Sequence, residues 1–211
     1  MFVESDVPMP KVDLVLFDMD DVLCVSDKQH RCAYLADLTG TTAQRVWAAI
    51  WGSGIDAAAD AGTISTTTYL REVALQLRVP FSADQWLEAR KSSMTPTPEV
   101  LELVAEVGKT HKIAVLTNNS ELVGDNIDYL FPELRPLFGD LIFPSSIFGA
   151  AKPDPRCFDA CLTHLGVKPQ SGYFIDDRPE NVAGAIKSGM QGHVFGGAEG
   201  LRQGLQQAGI L

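Results

Sequence analysis

The chain has 211 residues, of which 45% are apolar and 21% are charged, a composition typical of a folded globular protein. This length provides one full hydrophobic core, or a core with a small inserted unit, but not two large domains. Acidic residues outnumber basic residues 27 to 17, and the formal net charge of −10 argues against nucleic acid or an anionic membrane as the main partner.

Two further classes of protein are not expected. No apolar run approaches the roughly 18–20 residues of a membrane span, and the mixed, acidic start at residues 1–11 does not resemble a secretory signal. The cysteines form no CxxC pair and are too few for a disulfide scaffold, so we expect small buried thiols in a reducing cytoplasm. They are Cys24, Cys32, Cys157 and Cys161, with a metal site at the last two as the alternative. The four histidines show no metal-ligand spacing.

Short apolar runs without polar alternation are typical of strands that are buried on both faces. They lie at Leu14–Phe17, Ile113–Leu116, Leu141–Phe143 and Tyr173–Ile175, and a fifth strand is predicted at Gly192–Phe195. Helical patterns follow at Pro98–Val107, Leu122–Leu130 and Asp154–Leu165. Alternating strands and helices predict an α/β fold in which a parallel sheet carries helices on both faces.

The interval between the first two strands has a different character. It contains no convincing strand, and its helical patterns lie at Asp27–Leu38 (with Ser26 as the expected cap), Thr42–Trp51, Ser65–Leu77 and Ala83–Ser92. An insert of this length far exceeds the usual connection of about two to six residues. We therefore predict an all-helical domain at residues 25–96, inserted into a core formed by residues 1–24 and 97–211. The expected junctions are Cys24–Ser26 and the proline-bounded Met94–Pro98.

Polar residues follow three of the predicted strands. Asp18-Met19-Asp20-Asp21 follows the first, Thr117-Asn118-Asn119-Ser120 the second, and Asp176-Asp177 the fourth. Ligands of open parallel sheets bind beyond the carboxyl ends of the strands, so these side chains are expected to meet at one edge. Helix caps and turns use the same residue types, but four acids and a hydroxyl at one edge favour a functional site.

The acidic residues point to a divalent cation. Asp18 and Asp20 are two apart, which places their side chains on one side of an extended chain. Carboxylates held close together repel one another unless a cation or a shared proton relieves them. Oxygen ligands alone suit Mg²⁺, so we expect Mg²⁺ near these two residues and Asp176 and Asp177.

Lys152 lies between a Gly-Ala-Ala turn and the start of a helix, in the stretch Ala150-Ala151-Lys152-Pro153-Asp154-Pro155. Its position by itself favours a solvated surface lysine. The functional alternative is an ammonium directed at the acidic site, where it would offset charge on a nucleophile and a phosphoryl group.

Four motifs, in order, resemble those of the haloacid dehalogenase superfamily. They are Asp18-Met19-Asp20-Asp21-Val22-Leu23, Leu116-Thr117-Asn118-Asn119, Lys152-Pro153-Asp154-Pro155 with Phe158, and Ile175-Asp176-Asp177-Arg178-Pro179-Glu180-Asn181 with Gly184, Ala185 and Gly189. The resemblance implies a Rossmann-like core, and the insert stands where that family carries a helical cap. One position departs from the pattern, because Asp21 stands where the family usually has glycine.

The resemblance also implies roles. Asp18 would be the nucleophile that forms an aspartyl-phosphate, and Asp20 would protonate the leaving oxygen and then activate water. Thr117 and the backbone amide of Asn118 would hold phosphate oxygens, and Lys152 would neutralise Asp18 and the phosphate. The metal ligands would be Asp18, the main-chain carbonyl of Asp20, and Asp176, with Asp177 in support.

The expected function is therefore a Mg²⁺-dependent phosphatase acting on a small phosphorylated metabolite, with a sugar phosphate as one option. The alternatives are a 2-haloacid dehalogenase, a phosphomutase, and a non-catalytic domain that binds a ligand or partner. Asp20 argues against the dehalogenase, since dehalogenases of this fold lack that second acid. Substrate choice is expected to lie in the helical insert, where Trp47, Trp51, Tyr69 and Trp86 either pack the insert or face the site.

Overall fold

The computed structural model describes residues 11–211 and has an α/β architecture. Its strands are β1 Leu14–Phe17, β2 Cys24–Ser26, β3 Met94–Pro96, β4 Lys112–Thr117, β5 Ile142–Pro144, β6 Gly172–Asp176 and β7 Gln191–Val194. Five of them form one parallel sheet in the order β5-β4-β1-β6-β7, and β2 and β3 form a separate antiparallel pair. The predicted parallel sheet is confirmed.

Helices cover both faces of the sheet and fill the insert. They are α1 Lys28–Thr39, α2 Ala43–Trp47, α3 Ile55–Asp60, α4 Thr66–Leu77, α5 Ala83–Ser92, α6 Pro98–Val107, α7 Glu121–Asp125, α8 Ile127–Leu130, α9 Leu134–Phe138, α10 Pro155–Leu165, α11 Pro179–Lys187 and α12 Ala198–Gln207. A π-helical turn at Ala48–Gly52 and two 3₁₀ turns, Ser145–Phe148 and Pro169–Ser171, complete the set. Within the described residues, no helix is long and apolar enough to cross a membrane.

The central strand β1 explains why its apolar run does not alternate. Val15 and Phe17 pack into a cluster on one face of the sheet, and Leu14 and Leu16 pack into a cluster on the other. All four side chains are fully buried. A strand covered on both faces needs apolar residues at every position, and this requirement produced the sequence signal.

The insert is helical, but the expectation that it contains no strand is wrong. The segments β2 and β3 pair antiparallel at its two ends, with Cys24 opposite Pro96 and Ser26 opposite Met94. Each strand has only three residues, and about seventy residues separate them, so neither run had a local pattern to reveal the pairing. The ribbon joins the helices α1–α5 to the sheet. The division into residues 25–96 and the remaining core stays a prediction, which this paired ribbon supports.

Several helix boundaries differ from the sequence expectation. The cap of α1 is Asp27 rather than Ser26, because the Asp27 carboxylate accepts hydrogen bonds from the backbone amides of Gln29 and His30. The expected helix at Leu122–Leu130 is divided at Asn126 into α7 and α8, and the expected helix at Thr42–Trp51 becomes π-helical at Ala48. The short helices α3 and α9, and also α11 and α12, were not predicted.

The four cysteines are free and buried. Cys157 and Cys161 lie on the inward face of α10, where they join the cluster that covers one side of the sheet. This arrangement agrees with small buried thiols that contribute to packing.

Candidate active site

The carboxyl ends of three neighbouring strands bring the candidate residues together. Because β1 lies between β4 and β6, the residues that follow or end these strands are adjacent: Asp18, Thr117 and Asp176. A cavity of about 400 Å³ opens at this edge. Its walls include the predicted residues Asp18, Asp20, Thr117, Asn118, Lys152 and Asp177, while Asp176 is fully buried.

Lys152 is buried, with only 3% of the residue exposed, so its interpretation as a solvated surface lysine is wrong. Its Nζ lies 2.8 Å from Oδ1 of Asp18 and 2.7 Å from Oδ2 of Asp176, and it donates a hydrogen bond to the Leu116 carbonyl at 2.9 Å. Burial opposes the charge, but the two carboxylates raise the pKa of Lys152 above its usual value. The ammonium therefore stays charged between the two acids.

Asn118 fixes the backbone that carries this lysine. Its Nδ2 donates to the Lys152 carbonyl at 2.8 Å, and its Oδ1 accepts from the Lys152 amide at 2.9 Å. The same loop packs closely against α11, since a Cβ at Gly184 would overlap the Pro153 carbonyl oxygen. Two elements that follow different strands thus hold Lys152 in place.

Three carboxylates form a group that could hold a metal ion. One oxygen from each of Asp18, Asp176 and Asp177 lies within 4.8 Å of the others. Three carboxylates and the single ammonium of Lys152 leave two negative charges, which a divalent cation would balance. The buried Oδ1 of Asn181 has no hydrogen-bond partner among the described residues, so it offers one more oxygen at this point. The donor set consists of oxygen atoms, which fits Mg²⁺.

The electrostatic surroundings of Asp18 also suit the binding of a cation. Burial raises the pKa of Asp18 well above its usual range, Lys152 opposes this shift, and Asp176 and Asp20 add to it. Its Oδ1 accepts hydrogen bonds from Lys152 and from the backbone amide of Met19 at 2.7 Å. Its Oδ2 accepts none from residues 11–211, which leaves one carboxylate oxygen for a cation or a ligand.

The Asp20 carboxylate lies outside this three-carboxylate group and contacts the insert instead. Its Oδ1 accepts from Nη2 of Arg90 at 2.5 Å, and its Oδ2 accepts from Nδ2 of Asn119 at 3.1 Å. Burial opposes ionisation, but Arg90 and Asn119 together lower the pKa of Asp20 below its usual value. The implied metal contact of this residue is through its main-chain carbonyl and stays a prediction.

Thr117 is also positioned by Asn119. The Thr117 side chain is buried, and its Oγ1 accepts a hydrogen bond from Nδ2 of Asn119 at 2.8 Å. Its hydroxyl hydrogen donates to none of the residues that the structure describes, so it is available to a ligand.

Asp21 occupies a position that favours glycine. Its φ is 60°, in the left-handed region that asparagine and aspartate tolerate better than most residues. Its Oδ1 accepts a hydrogen bond from the backbone amide of Ser26 at 3.0 Å. The extra acid therefore stabilises the turn that leads into the insert.

Sequence reasoning missed the charged residues of the insert that line the cavity, among them the two arginines Arg31 and Arg90. Both are almost fully buried, at 5% and 2% exposed. The available signal was their spacing, because Arg90 lies four residues after the buried Trp86 on the inward face of α5. Among the aromatic residues of the insert, Tyr69 and Trp86 are buried and Trp47 is largely exposed, while Trp51 and Trp86 line the cavity.

Comparison with known proteins places these residues in a family. The model of the haloacid dehalogenase-like hydrolases matches residues 12–189. The chloroplast flavin mononucleotide hydrolase 1 of Arabidopsis thaliana is 47% identical over 68 residues, which are 32% of this chain and 28% of that protein. Phosphatase MT3486 of Mycobacterium tuberculosis is 38% identical over 94 residues, which are 44% of this chain and 43% of that protein. The chain thus spans less than half of either relative.

The fold also resembles a solved structure. A HAD family enzyme from Bacteroides thetaiotaomicron, in complex with magnesium and inorganic phosphate, superposes with a TM-score of 0.74 at 20% identity. The match covers 86% of this chain and 93% of that one, and it shows a common fold.

Proposed function

This chain belongs to the haloacid dehalogenase-like hydrolases, and we propose that it is a Mg²⁺-dependent phosphatase of small phosphomonoesters. The observation that carries the proposal is the buried ammonium of Lys152, shared between Asp18 and Asp176. Burying three charges is unfavourable unless each has a partner. These three charged groups lie beside an open cavity. This arrangement suits a reaction in which a carboxylate attacks an anionic group, because the ammonium reduces the repulsion between the two.

The metal would be held by Asp18, Asp176 and Asp177, together with the main-chain carbonyl of Asp20. When bound, Mg²⁺ would offset the negative charge of Asp18 and of the phosphoryl group, a general requirement of phosphoryl transfer. Lys152 supplies a further positive charge, with its Nζ 2.8 Å from Oδ1 of Asp18. The remaining steps depend on the protein's own side chains.

In the first step, a carboxylate oxygen of Asp18 attacks phosphorus and forms an aspartyl-phosphate while the bond to the leaving oxygen breaks. Thr117 and the backbone amide of Asn118 hold phosphate oxygens. A protonated Asp20 gives its proton to the leaving oxygen, which departs as an alcohol. Arg90 and Asn119 hold the two oxygens of Asp20 beside the cavity in the ionised form, so Asp20 must take up this proton when the substrate binds.

In the second step, Asp20 is a carboxylate and accepts a proton from water. The water oxygen attacks phosphorus, the bond to Asp18 breaks, and inorganic phosphate leaves. Arg90 favours the ionised form of Asp20, which is the form that this step needs. One acid therefore donates a proton in the first half of the reaction and recovers it in the second.

Two curated relatives guide the choice of substrates. One is named for the hydrolysis of flavin mononucleotide and the other as a phosphatase. We therefore include flavin mononucleotide in a panel with sugar phosphates and short alkyl phosphates. The cytoplasmic location stays a prediction.

The test is phosphate release over this panel with Mg²⁺ and with EDTA, beside chloride release from 2-chloropropionate. We expect Mg²⁺-dependent phosphate release, no chloride release, and no phosphoenzyme in Asp18→Asn. Asp159→Asn, an exposed acid on α10, is the matched control and keeps full activity. Chloride release without metal would support the dehalogenase instead, and transfer of phosphate to a sugar hydroxyl would support the mutase. Binding without any turnover would support the non-catalytic domain.

A further inference from the structure

The cavity has a second wall, formed by the insert, that lies across from the reacting residues. Its charged members are Lys28, Arg31, Asp56, Asp60 and Arg90, and its aromatic members are Trp51 and Trp86. The volume of about 400 Å³ is within the range of small-molecule sites. The portion of a phosphomonoester that leaves as an alcohol would contact this wall.

Arg31 differs from the other cations of the wall because it is buried and its charge has no counter-ion among the described residues; Lys28, which also forms no ion pair, is exposed to water. It is only 5% exposed, and its Nε and Nη2 are buried without a hydrogen-bond partner. Within the described chain, its guanidinium forms neither a hydrogen bond nor an ion pair. By contrast, Arg90 pairs with Asp20 and donates to Ser26 Oγ at 2.7 Å.

Two tryptophans frame the guanidinium of Arg31. Its Cζ lies 4.4 Å from the ring centroid of Trp86 and 5.4 Å from that of Trp51. The Trp86 ring is itself fixed, because its Nε1 donates to Tyr69 Oη at 3.0 Å and Tyr69 Oη donates to Asp56 at 3.2 Å. Aromatic faces stabilise a guanidinium without using its N–H groups, which remain free for an acceptor.

The two acids of the wall do not neutralise Arg31. Neither Asp56 nor Asp60 lies within ion-pair distance of it, and Asp56 already accepts the hydrogen bond from Tyr69. Burial and the neighbouring Asp56 raise the pKa of Asp60 well above its usual range, which weakens its negative charge. A buried cation without a partner is unfavourable in the empty protein and becomes favourable when an anion arrives.

We propose that Arg31, held between Trp51 and Trp86, binds a second anionic group of the substrate, a carboxylate or a phosphate distant from the reacting phosphoryl group. The proposal rests on the proposed phosphatase function and specifies the substrate class of the same site. The planar guanidinium can bind either group with two parallel hydrogen bonds. Substrates are therefore anionic at both ends, and analogues whose second end is uncharged fit less well.

The test compares three series of alkyl phosphates of matched chain length, which end in a carboxylate, a second phosphate or a hydroxyl. The variants are Arg31→Met, which keeps the length of the side chain, and Arg31→Lys, which keeps its charge. Arg71→Met is the control, because Arg71 belongs to the same insert, has a side chain 62% exposed, and lies outside the cavity.

We expect kcat/KM for one anionic series to exceed that for the hydroxyl series about tenfold or more at the best chain length. Arg31→Met should reduce this preference to within about threefold, and Arg31→Lys should retain part of it. The preferred series tells whether the carboxylate or the phosphate is the natural group. Equal kcat/KM for all series, or an equal loss for all series in Arg31→Met, would overturn the subsite and assign Arg31 to packing.

Binding separates this subsite from the phosphatase function. Calorimetry on Asp18→Asn, with Mg²⁺ and with or without Arg31→Met, measures the preference for anionic over hydroxyl-ended compounds without turnover. If Arg31→Met removes a binding preference for the anionic compounds, the subsite is supported, whether or not the native chain hydrolyses any of them. If the native chain hydrolyses none of the compounds, the phosphatase function is refuted. Turnover without any preference, in rate or binding, refutes the subsite alone.

Discussion

Lys152 is the residue at which local sequence and tertiary environment differ most. A lysine between a small-residue turn and a proline is typical of a protein surface, yet its side chain is fully buried and pairs with Asp18 and Asp176. Its removal would leave two carboxylates with no cation between them. We therefore expect the same residue to affect both the stability of the fold and the rate of the proposed reaction.

Lys152→Ala is expected to lower turnover of the best substrate by about a hundredfold to a thousandfold, since it removes one electrostatic partner of the reacting centre. It should also lower the free energy of unfolding by about 3–5 kcal/mol, because it breaks a buried ion pair. Lys152→Arg should recover little activity, since a planar guanidinium does not fit the place of a compact ammonium. The measurements are steady-state kinetics and thermal melts of both variants.

Lys168→Ala is the control for this pair, because Lys168 is exposed, and it should change neither quantity. A folded Lys152→Ala enzyme within about threefold of the parent rate would contradict the role of this lysine.

Asp60 gives a prediction about pH at the residue scale. Its pKa is raised in the folded state, chiefly by burial and by Asp56, so ionisation disfavours the folded state. Its contribution to stability is complete at pH below the unfolded pKa and is lost as pH rises through the folded pKa. The Asp60→Asn variant should therefore have a higher melting temperature than the parent at pH 8, and the difference in melting temperature should vanish near pH 3.

Thermal melts across that pH range check this prediction, and Asp84→Asn, in the first turn of α5, serves as the reference. If the difference in melting temperature between Asp60→Asn and the parent were the same at every pH, the ionisation of Asp60 would not be its cause.

At the scale of elements, a few specific contacts hold the insert against the core. Ser145 Oγ donates to the Asp60 carbonyl at 2.7 Å, and the Lys91 ammonium lies 4.0 Å from the ring centroid of Tyr129. Gly62 lies against Ser146, where a Cβ would overlap the carbonyl oxygen. We infer that the short ribbon of β2 and β3 is the hinge about which these contacts open for substrate.

Gly62→Ala tests the contact between Gly62 and Ser146, and Gly40→Ala is its matched control. The two glycines have φ values of +66° and +63°, but a Cβ at Gly40 has nothing within 4 Å. Both changes should lower the free energy of unfolding by about 1–2 kcal/mol through backbone strain, and Gly62→Ala should lower it further because its Cβ also overlaps the Ser146 carbonyl oxygen. Only Gly62→Ala should also lower kcat/KM, because its methyl group displaces the insert from the core. Equal kinetics for the two variants would show that this contact does not position the insert.

At the scale of the whole molecule, the described chain carries excess negative charge at one edge of the sheet. A cation bound only by the folded state stabilises that state, by about 2.7 kcal/mol when its concentration is a hundred times Kd. We expect Mg²⁺ to raise the melting temperature of the native chain and EDTA to reverse the shift. Asp177→Asn should weaken the response and Asp159→Asn should not. An equal response in both variants would place the cation elsewhere.

The sequence by itself determined the parallel sheet, the helical insert and most of the candidate site residues. Strands buried on both faces must be apolar throughout, and parallel strands must end at a common edge, so Asp18, Thr117 and Asp176 could be brought together by local pattern. The four motifs in order added Lys152, which its own surroundings in the sequence would have assigned to the surface.

Only the tertiary structure decided which residues of the insert face the site. Arg90 reaches Asp20 across seventy residues of sequence, and Arg31 lies between tryptophans that belong to two other segments. Neither contact follows a helical or strand period, since the first depends on how the insert packs on the core and the second on how the helices of the insert pack on one another. The candidate reacting residues were thus predictable from strand ends, whereas the proposed recognition of the substrate depends on packing between distant segments.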